Sequence, residues 1–294
     1  VVSTNPAVDV EWRVEQLRPE EKNEVLSQRR WPGGKGVNVA RWLGWSGVRT
    51  RLLLPLGGAT GRELAAGLRR ESIRFRSVPI AGETRANVVV TTHGGPQFRL
   101  NPTWPVLTAQ ELAALESALA EELEGCDWVV FSGALVRGAS AGWYARWVRR
   151  ARKQGCQVVV DCDGDPFRQA VRARPWLVKP NEFELTQWAG RPLPDAAAAE
   201  LAATELARTT GGWVLVSRGA EGAWLTGPDD GGLRRCPAPA TRVRNTVGAG
   251  DALLAGAVAA AIRAPGDPGQ WLKAGVRAGS LSTQQEPGGL PTAG

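Results

Sequence analysis

Between residues 252 and 262 the chain reads Ala-Leu-Leu-Ala-Gly-Ala-Val-Ala-Ala-Ala-Ile, with no polar side chain anywhere. A helix apolar on every face belongs in an interior, with other elements packed all round it. The run falls short of the ~20 apolar residues that cross a bilayer. It therefore calls for a layered fold. Apolar strands are predicted at residues 127–132, 157–161, 176–179 and 213–217, with helices at 108–123 and 195–209 among them. Thr108 stands three residues before Glu111, the pattern of a capping box. Strands alternating with helices give a mostly parallel sheet covered on both faces, and ligands gather at the carboxyl ends of its strands.

Two earlier segments differ. Residues 10–31 and 76–100 alternate apolar and polar positions between turn residues, and His93-Gly94-Gly95-Pro96 reads as the tip of a hairpin. They are expected to form a small β-strand lid on the main α/β body. The 294 residues suit one domain over 1–294, and 43% hydrophobic with 22% charged residues is ordinary globular composition. The Pro/Gly-rich end, 286–294, reads as loop or tail.

The net charge of +7 is carried mainly by arginine and suits phosphorylated ligands. The basic stretch 146–153 reads as a solvated helix face; no nucleic-acid recognition module accompanies it, so no nucleic-acid partner is expected. Cys126, Cys156, Cys162 and Cys236 form no Cys-x-x-Cys pair and read as buried thiols of a reducing compartment. His93 is the sole histidine, which disfavours histidine-rich metal sites and a Ser-His-Asp triad. With no signal-peptide pattern and no membrane-spanning run, the cytoplasm is the expected location. The chain also lacks methionine, which implies that residues precede Val1.

The chemistry concentrates where the apolar helix begins. Asn245-Thr246-Val247-Gly248-Ala249-Gly250-Asp251 puts three small residues and a carboxylate at its start. Unpaired N–H groups and the positive end of the helix dipole make such a start a seat for an anion. A carboxylate beside an anion repels it, unless that carboxylate takes the proton of a hydroxyl attacking a phosphoryl group. The plainer reading is a glycine-rich turn with Asp251 as a cap. A second glycine turn, Pro32-Gly33-Gly34-Lys35-Gly36-Val37-Asn38, sets Lys35 and Asn38 at another helix start, within reach of sugar hydroxyls or phosphate. It is no Walker A loop, since no Ser or Thr follows Lys35. A competing reading takes Asp161-Cys162-Asp163-Gly164 as the nucleophile loop of a haloacid-dehalogenase-type phosphatase, with Asp161 attacking phosphate; the acidic pair Asp229-Asp230 would then sit in a loop with no strand before it.

Four motifs in order make the chain resemble the PfkB (ribokinase-like) carbohydrate kinase family over its full length. Asn5-Pro6-Ala7-Val8-Asp9 resembles the start of the phosphofructokinase branch, and Gly33-Gly34-Lys35-Gly36-Val37-Asn38 the first sugar-binding turn. Lys179-Pro180-Asn181-Glu182-Phe183-Glu184 resembles the Asn-x-x-Glu element, and Asn245 to Asp251 the anion-hole and base motif. The fold implied is a ribokinase-like three-layer sandwich with a small β lid. The Asn-Thr-Val start of the last motif resembles the hexose-phosphate group: 1-phosphofructokinase, tagatose-6-phosphate kinase and the minor 6-phosphofructokinase.

The resemblance implies ATP and Mg2+ as cofactors, a phosphorylated hexose as acceptor, and a homodimer paired through the lid. Asp251 is the implied base, with Gly248, Ala249 and Gly250 as the anion hole. Asp9, Gly34, Asn38 and Ser132 are implied to face the sugar, with Lys35, Arg85 and Arg99 as candidates for its phosphate. Lys179 and Asn181 fall to the nucleotide phosphates, Ser217, Gly219 and Gly222 to the nucleotide pocket, and Glu184 to magnesium through water. Some positions depart from the family: Ser132-Gly133-Ala134-Leu135-Val136-Arg137-Gly138 lacks the usual prolines, Ala252 replaces a serine after Asp251, and the loop 284–289 is unusual.

Overall fold

The computed structural model describes residues 1–103, 105–228 and 232–291. The pair Asp229-Asp230 and residues 292–294 of the tail lie outside the described residues. In chain order the elements are β1 (Ala7–Val14), β2 (Ser27–Gly33), α1 (Lys35–Trp45), β3 (Leu52–Leu56), α2 (Gly58–Arg70), β4 (Phe75–Pro79), β5 (Arg85–Thr92), β6 (Gln97–Leu100) and α3 (Ala109–Glu122). There follow β7 (Trp128–Ser132), α4 (Trp143–Lys153), β8 (Gln157–Asp161), α5 (Gly164–Arg172), β9 (Leu177–Val178), α6 (Glu182–Ala189), α7 (Ala196–Thr210), β10 (Trp213–Ser217), β11 (Ala223–Thr226), β12 (Arg234–Cys236), α8 (Ala249–Arg263) and α9 (Pro268–Thr283).

The central sheet runs β12-β11-β10-β9-β8-β7 and continues to β3-β4 through Val2, which bridges Phe131 of β7 and Leu53 of β3. Its strands from β10 to β7 are parallel, and β11 and β12 close one edge antiparallel. Side chains alternate between its two faces. Val129, Phe131, Val158, Val160, Val214 and Val216 join the core under α3, α4, α5 and α7. Val130, Val159 and Leu215 join the core under α1, α8 and α9. This is the helix–sheet–helix sandwich, with a strand buried on both faces reading as a continuous apolar run.

A second sheet, β2-β1-β5-β6, stands beside the first. β1 pairs antiparallel with β2 and parallel with β5. Val8 and Val10 point to a core shared with α1, α2 and β3, so Asp9 between them faces the other way. Residues 76–79 do not join this sheet, contrary to the expectation for 76–100. They form β4 of the central sheet, parallel to β3. The apolar β3 needs a partner on its outer edge, and α2 provides the crossover that brings β4 there.

Helix termini follow local chemistry. Thr108 and Glu111 form the expected capping box on α3, Asn181 and Glu184 form another on α6, and Asp195 caps α7. The cysteines are free; Cys156 and Cys162 are buried, but Cys126 and Cys236 only half so, because they sit at strand edges.

α8 is buried from Asp251 to Ala261, as its composition requires. α9 packs on it where glycines remove side chains: a Cβ on Gly256 would lie 2.7 Å from both the Ala274 carbonyl and the Ala278 Cβ. Gly256→Ala should therefore destabilise the protein. The gain in helix propensity is about 1 kcal/mol, whereas overpacking costs about 1–3 kcal/mol. Urea unfolding should show a lower midpoint; an unchanged or higher one would mean that α9 yields freely.

Candidate active site

The carboxyl ends of β9 and β10, the start of α8 and one face of the four-stranded sheet enclose a cavity of about 1240 Å3. The four-stranded sheet lends it Asp9, Trp31, Arg85, Asn87, Val89 and Arg99, which the strand register places on one face. The start of α1 adds Gly34, Lys35 and Asn38. The central sheet adds Lys179, Asn181, Ser217, Gly219 and Gly222. Gly248, Ala249, Gly250 and Asp251 complete the wall.

Gly248 is the N-cap of α8, with φ of 80°, in the left-handed region where glycine is unstrained. A Cβ there would also sit 3.3 Å from Asn38 Nδ2. At the opening of α8 the Ala249 amide donates to the Thr246 carbonyl at a long 3.4 Å and the Ala252 amide to the Gly248 carbonyl at 2.9 Å, so the donors that the helix start and its positive dipole end offer are chiefly those of Gly250 and Asp251. The loop before it is pinned by Asn245, whose Oδ1 accepts from the Val247 amide (2.6 Å) and whose Nδ2 donates to the Gln285 carbonyl (3.2 Å).

Asp251 is 6% exposed. Asn38 Nδ2 donates to its Oδ2 at 2.8 Å. Burial raises its pKa and the negative charge of Asp161 raises it further; Lys35, Asn38 and Lys179 pull the other way, and the balance is pushed up to about 7.

Asp161 ends β8 and is 0% exposed. Lys35 Nζ donates to its Oδ1 at 3.2 Å, and Lys179 Nζ lies 3.3 Å from the same oxygen. Burial alone would raise this carboxyl, but Lys179 and Lys35 outweigh it and hold it below the usual range. Lys35 also donates to Glu184 Oε1 at 3.3 Å. Burial opposes its charge, yet Asp161, Glu184 and Asp251 hold it above the ordinary lysine value.

On the opposite wall Asn87 Nδ2 donates to Asp9 Oδ1 at 2.8 Å. Burial raises the Asp9 carboxyl against the opposing pull of Asn87, Arg85 and Arg41. Burial lowers the Arg85 guanidinium, and Asp9 opposes that shift. Arg99, exposed on β6, reaches Thr246 Oγ1 at 3.4 Å, across to the loop before α8.

One expectation needs correction. Ser132 does not face the cavity: it is 0% exposed and its hydroxyl donates to Asp161 Oδ2 at 3.4 Å, because the parallel register of β7 and β8 sets Ser132 beside Asp161. Glu184, expected to act on magnesium through water, lies beside the main cavity and not on its wall. Its Oε2 accepts from the Asn181 amide at 2.9 Å, and it borders a smaller hollow of about 190 Å3 with Asp163 and Asp165. The phosphatase reading also fails. Asp161 has both oxygens engaged and no surface on the cavity, so it cannot attack phosphate.

The sequence reading overlooked Trp31, Asn87, the loop 238–241 with Val243, and the Val276, Gly279, Ser280 and Thr283 face of α9, all of which line the cavity. Asn87 was within reach, since it lies two positions from Arg85 on the same strand. The others carry no local signal, because only tertiary packing brings them here.

Comparison with known proteins bears on the family and the fold. The model of the pfkB family carbohydrate kinases matches residues 2–292. A 1-phosphofructokinase of Vibrio cholerae is 32% identical over 256 residues, covering 87% of this chain and 80% of that one. Escherichia coli phosphofructokinase-2 in complex with potassium superposes with a TM-score of 0.90 at 28% identity, over 97% of this chain and 92% of that one. A Thermotoga maritima protein given as a possible 1-phosphofructokinase superposes with a TM-score of 0.87 at 25% identity, over 99% and 93%. The match along nearly all of the sequence, with one cavity holding the residues of its glycine turns, makes this chain a member of the pfkB family of carbohydrate kinases.

Proposed function

We propose that this kinase transfers the terminal phosphoryl group of ATP to a hydroxyl of fructose 1-phosphate, giving fructose 1,6-bisphosphate and ADP. The observation that carries the reading is Asp251: a buried carboxylate at the anion-binding start of α8, in one cavity with Arg85 and Arg99. Asp251 takes the proton of the acceptor hydroxyl. The oxygen forms a bond to the terminal phosphorus while the bond to the bridging oxygen breaks, and the amides opening α8 meet the charge on the transferred group. Arg85 and Arg99 are the candidates for the phosphate already on the sugar, since a guanidinium fork suits its oxygens. The Vibrio cholerae relative favours fructose 1-phosphate. Fructose 6-phosphate is the second reading, because Escherichia coli phosphofructokinase-2 has been crystallised in complex with it. Tagatose 6-phosphate belongs in the same panel.

The charge count supports Asp251 as the base. Lys35 and Lys179 face three carboxylates, Asp161, Glu184 and Asp251. Two lysines balance two of them, so the third is surplus and its charge is the least favoured. Among the described residues no group of three or more His, Cys, Asp or Glu side chains is arranged to hold a metal. Mg2+ needs only one or two carboxylates when it arrives with phosphates and water, so Glu184 fits a contact through water. The ion would neutralise phosphate charge. The free thiols suit a reducing cytoplasm, where we place the enzyme. No described helix is long and apolar enough to cross a membrane. We read the four-stranded sheet as a lid and a subunit contact: its edge strand β6 exposes Phe98 (40%) and Leu100 (55%), the kind of edge that a second copy covers.

Asp251→Asn should lower turnover at least ~100-fold while the KM for ATP stays within about twofold; near-normal turnover would remove the proposed base. Because the base must be ionised, kcat/KM for wild type should rise with pH through about 7. Asp161→Asn removes a charge that raises Asp251, so the surviving activity should show this rise at lower pH, in a protein less stable by about 3–5 kcal/mol. Arg85→Ala should raise KM for the phosphosugar far more than for ATP; equal effects would misplace the phosphate pocket. A panel of the three phosphosugars with ATP decides the acceptor. Replacing Phe98 and Leu100 by Glu should halve the mass measured by light scattering if the lid is the subunit contact.

A further inference from the structure

Arg41, on α1, is 4% exposed and spends every arm of its guanidinium on protein. Nε donates to Glu71 Oε2 at 2.7 Å, and Nη2 donates to Glu71 Oε1 at 3.1 Å and to the Pro32 carbonyl at 2.6 Å. Nη1 donates to Asn38 Oδ1 at 2.8 Å. The other end of that carboxamide, Nδ2, donates to Asp251 Oδ2. Glu71, Arg41, Asn38 and Asp251 thus form one hydrogen-bonded line, from the end of α2 through α1 to the start of α8.

Burying a guanidinium is costly, and an apolar side chain would fill the same space between α1 and α2 without that cost. The charge is explained by what it does to Asn38. A carboxamide has two ends of nearly equal shape, one an acceptor and one a donor. Were it turned over, its oxygen would face the Asp251 carboxylate and its NH2 would face the guanidinium, acceptor on acceptor and donor on donor. We propose that Arg41 is a positioning residue for this kinase: it fixes the Asn38 amide with nitrogen toward Asp251, and so fixes which carboxylate oxygen meets the acceptor hydroxyl.

The proposal rests on reading Asp251 as the base. With Oδ2 held by Asn38, Oδ1 is the oxygen left to take the proton. The charged groups acting on Asp251 are Asp161 from β8, Lys35 from α1 and Lys179 from the segment after β9. The Arg41 donors go to Glu71, Asn38 and the Pro32 carbonyl and to none of these three, and its own charge acts on Asp9. Its influence on Asp251 therefore runs through the amide, not through the lysine–carboxylate cluster.

The test compares Arg41→Met, Arg41→Lys and the double variant Arg41→Met with Glu71→Met, which removes both members of the pair and leaves no lone charge to unfold the protein. Steady-state kinetics with ATP and the phosphosugar are measured across pH, beside wild type and Asp251→Asn. In Arg41→Met kcat should fall roughly 10–100-fold, the scale of a misplaced reacting group, with KM for ATP within about twofold. The rise of kcat/KM with pH should move to higher pH, because a donor that favours the ionised carboxylate is lost. The lysine variant, which can still reach Asn38 Oδ1, should recover part of the rate, and the double variant should keep the kinetic defect at near wild-type stability. Lower stability with wild-type kcat and an unmoved pH profile would overturn the proposal, since that is a packing role only. If Asp251→Asn retains turnover and wild type shows no rise near neutrality, the base assignment itself falls and the positioning role falls with it.

Discussion

Everything in this site depends on a carboxylate that touches no substrate. Asp161 is sealed at the end of a central strand with two ammonium groups on one of its oxygens. The attraction is strong because water is excluded there, and it fixes Lys35 and Lys179 on the cavity wall. Asp161 also draws both ammonium groups toward itself, so that their pull on Asp251 does not offset burial and the negative charge of Asp161. The Asp251 carboxyl, the base we propose, is pushed up to about 7 by the same arrangement that sets two cations on the cavity wall. A kinase of this form needs both, since phosphoryl transfer is driven mostly by positioning and charge stabilisation.

The fold brings these groups together from distant parts of the chain. Parallel strands end on one side, so Asp161, Lys179 and Ser217 arrive there without any further device. α8 reaches the same side because small residues let it pack closely on the sheet against α1 and α9, and its dipole then points at the cavity. The four-stranded sheet supplies the opposite wall through the pleat, which turns Asp9, Asn87 and Arg85 inward while Val8 and Val10 anchor the strand behind them.

The architecture was largely legible in the sequence, because buried parallel strands are continuous apolar runs and caps are local. Strands β8 and β10 and the caps Thr108 and Asp195 follow from side chains within four residues of each other. The placement of β4 was not legible: Phe75–Pro79 alternates like an edge strand, and only the need to cover β3 assigns it to the central sheet. In the site, residues on glycine turns could be read because a turn beside a helix start has few physical uses. Asp161 could not. Its Asp-x-Asp-Gly setting points to a nucleophile, and what makes it a counter-ion is the pair of lysines that arrive from positions 35 and 179. Ser132 is a similar case, since its own strand end does not reveal that Asp161 stands beside it on β8.

The central claim is that the surplus proton of the cluster resides on Asp251. It can be observed directly by titrating 13C-labelled aspartate side chains by NMR, with Asp251→Asn assigning the signal. A carboxyl resonance that titrates near neutrality in the wild type and vanishes in the variant is the expected result. A signal for Asp251 that titrates near the ordinary aspartate value of about 3.9 would contradict it.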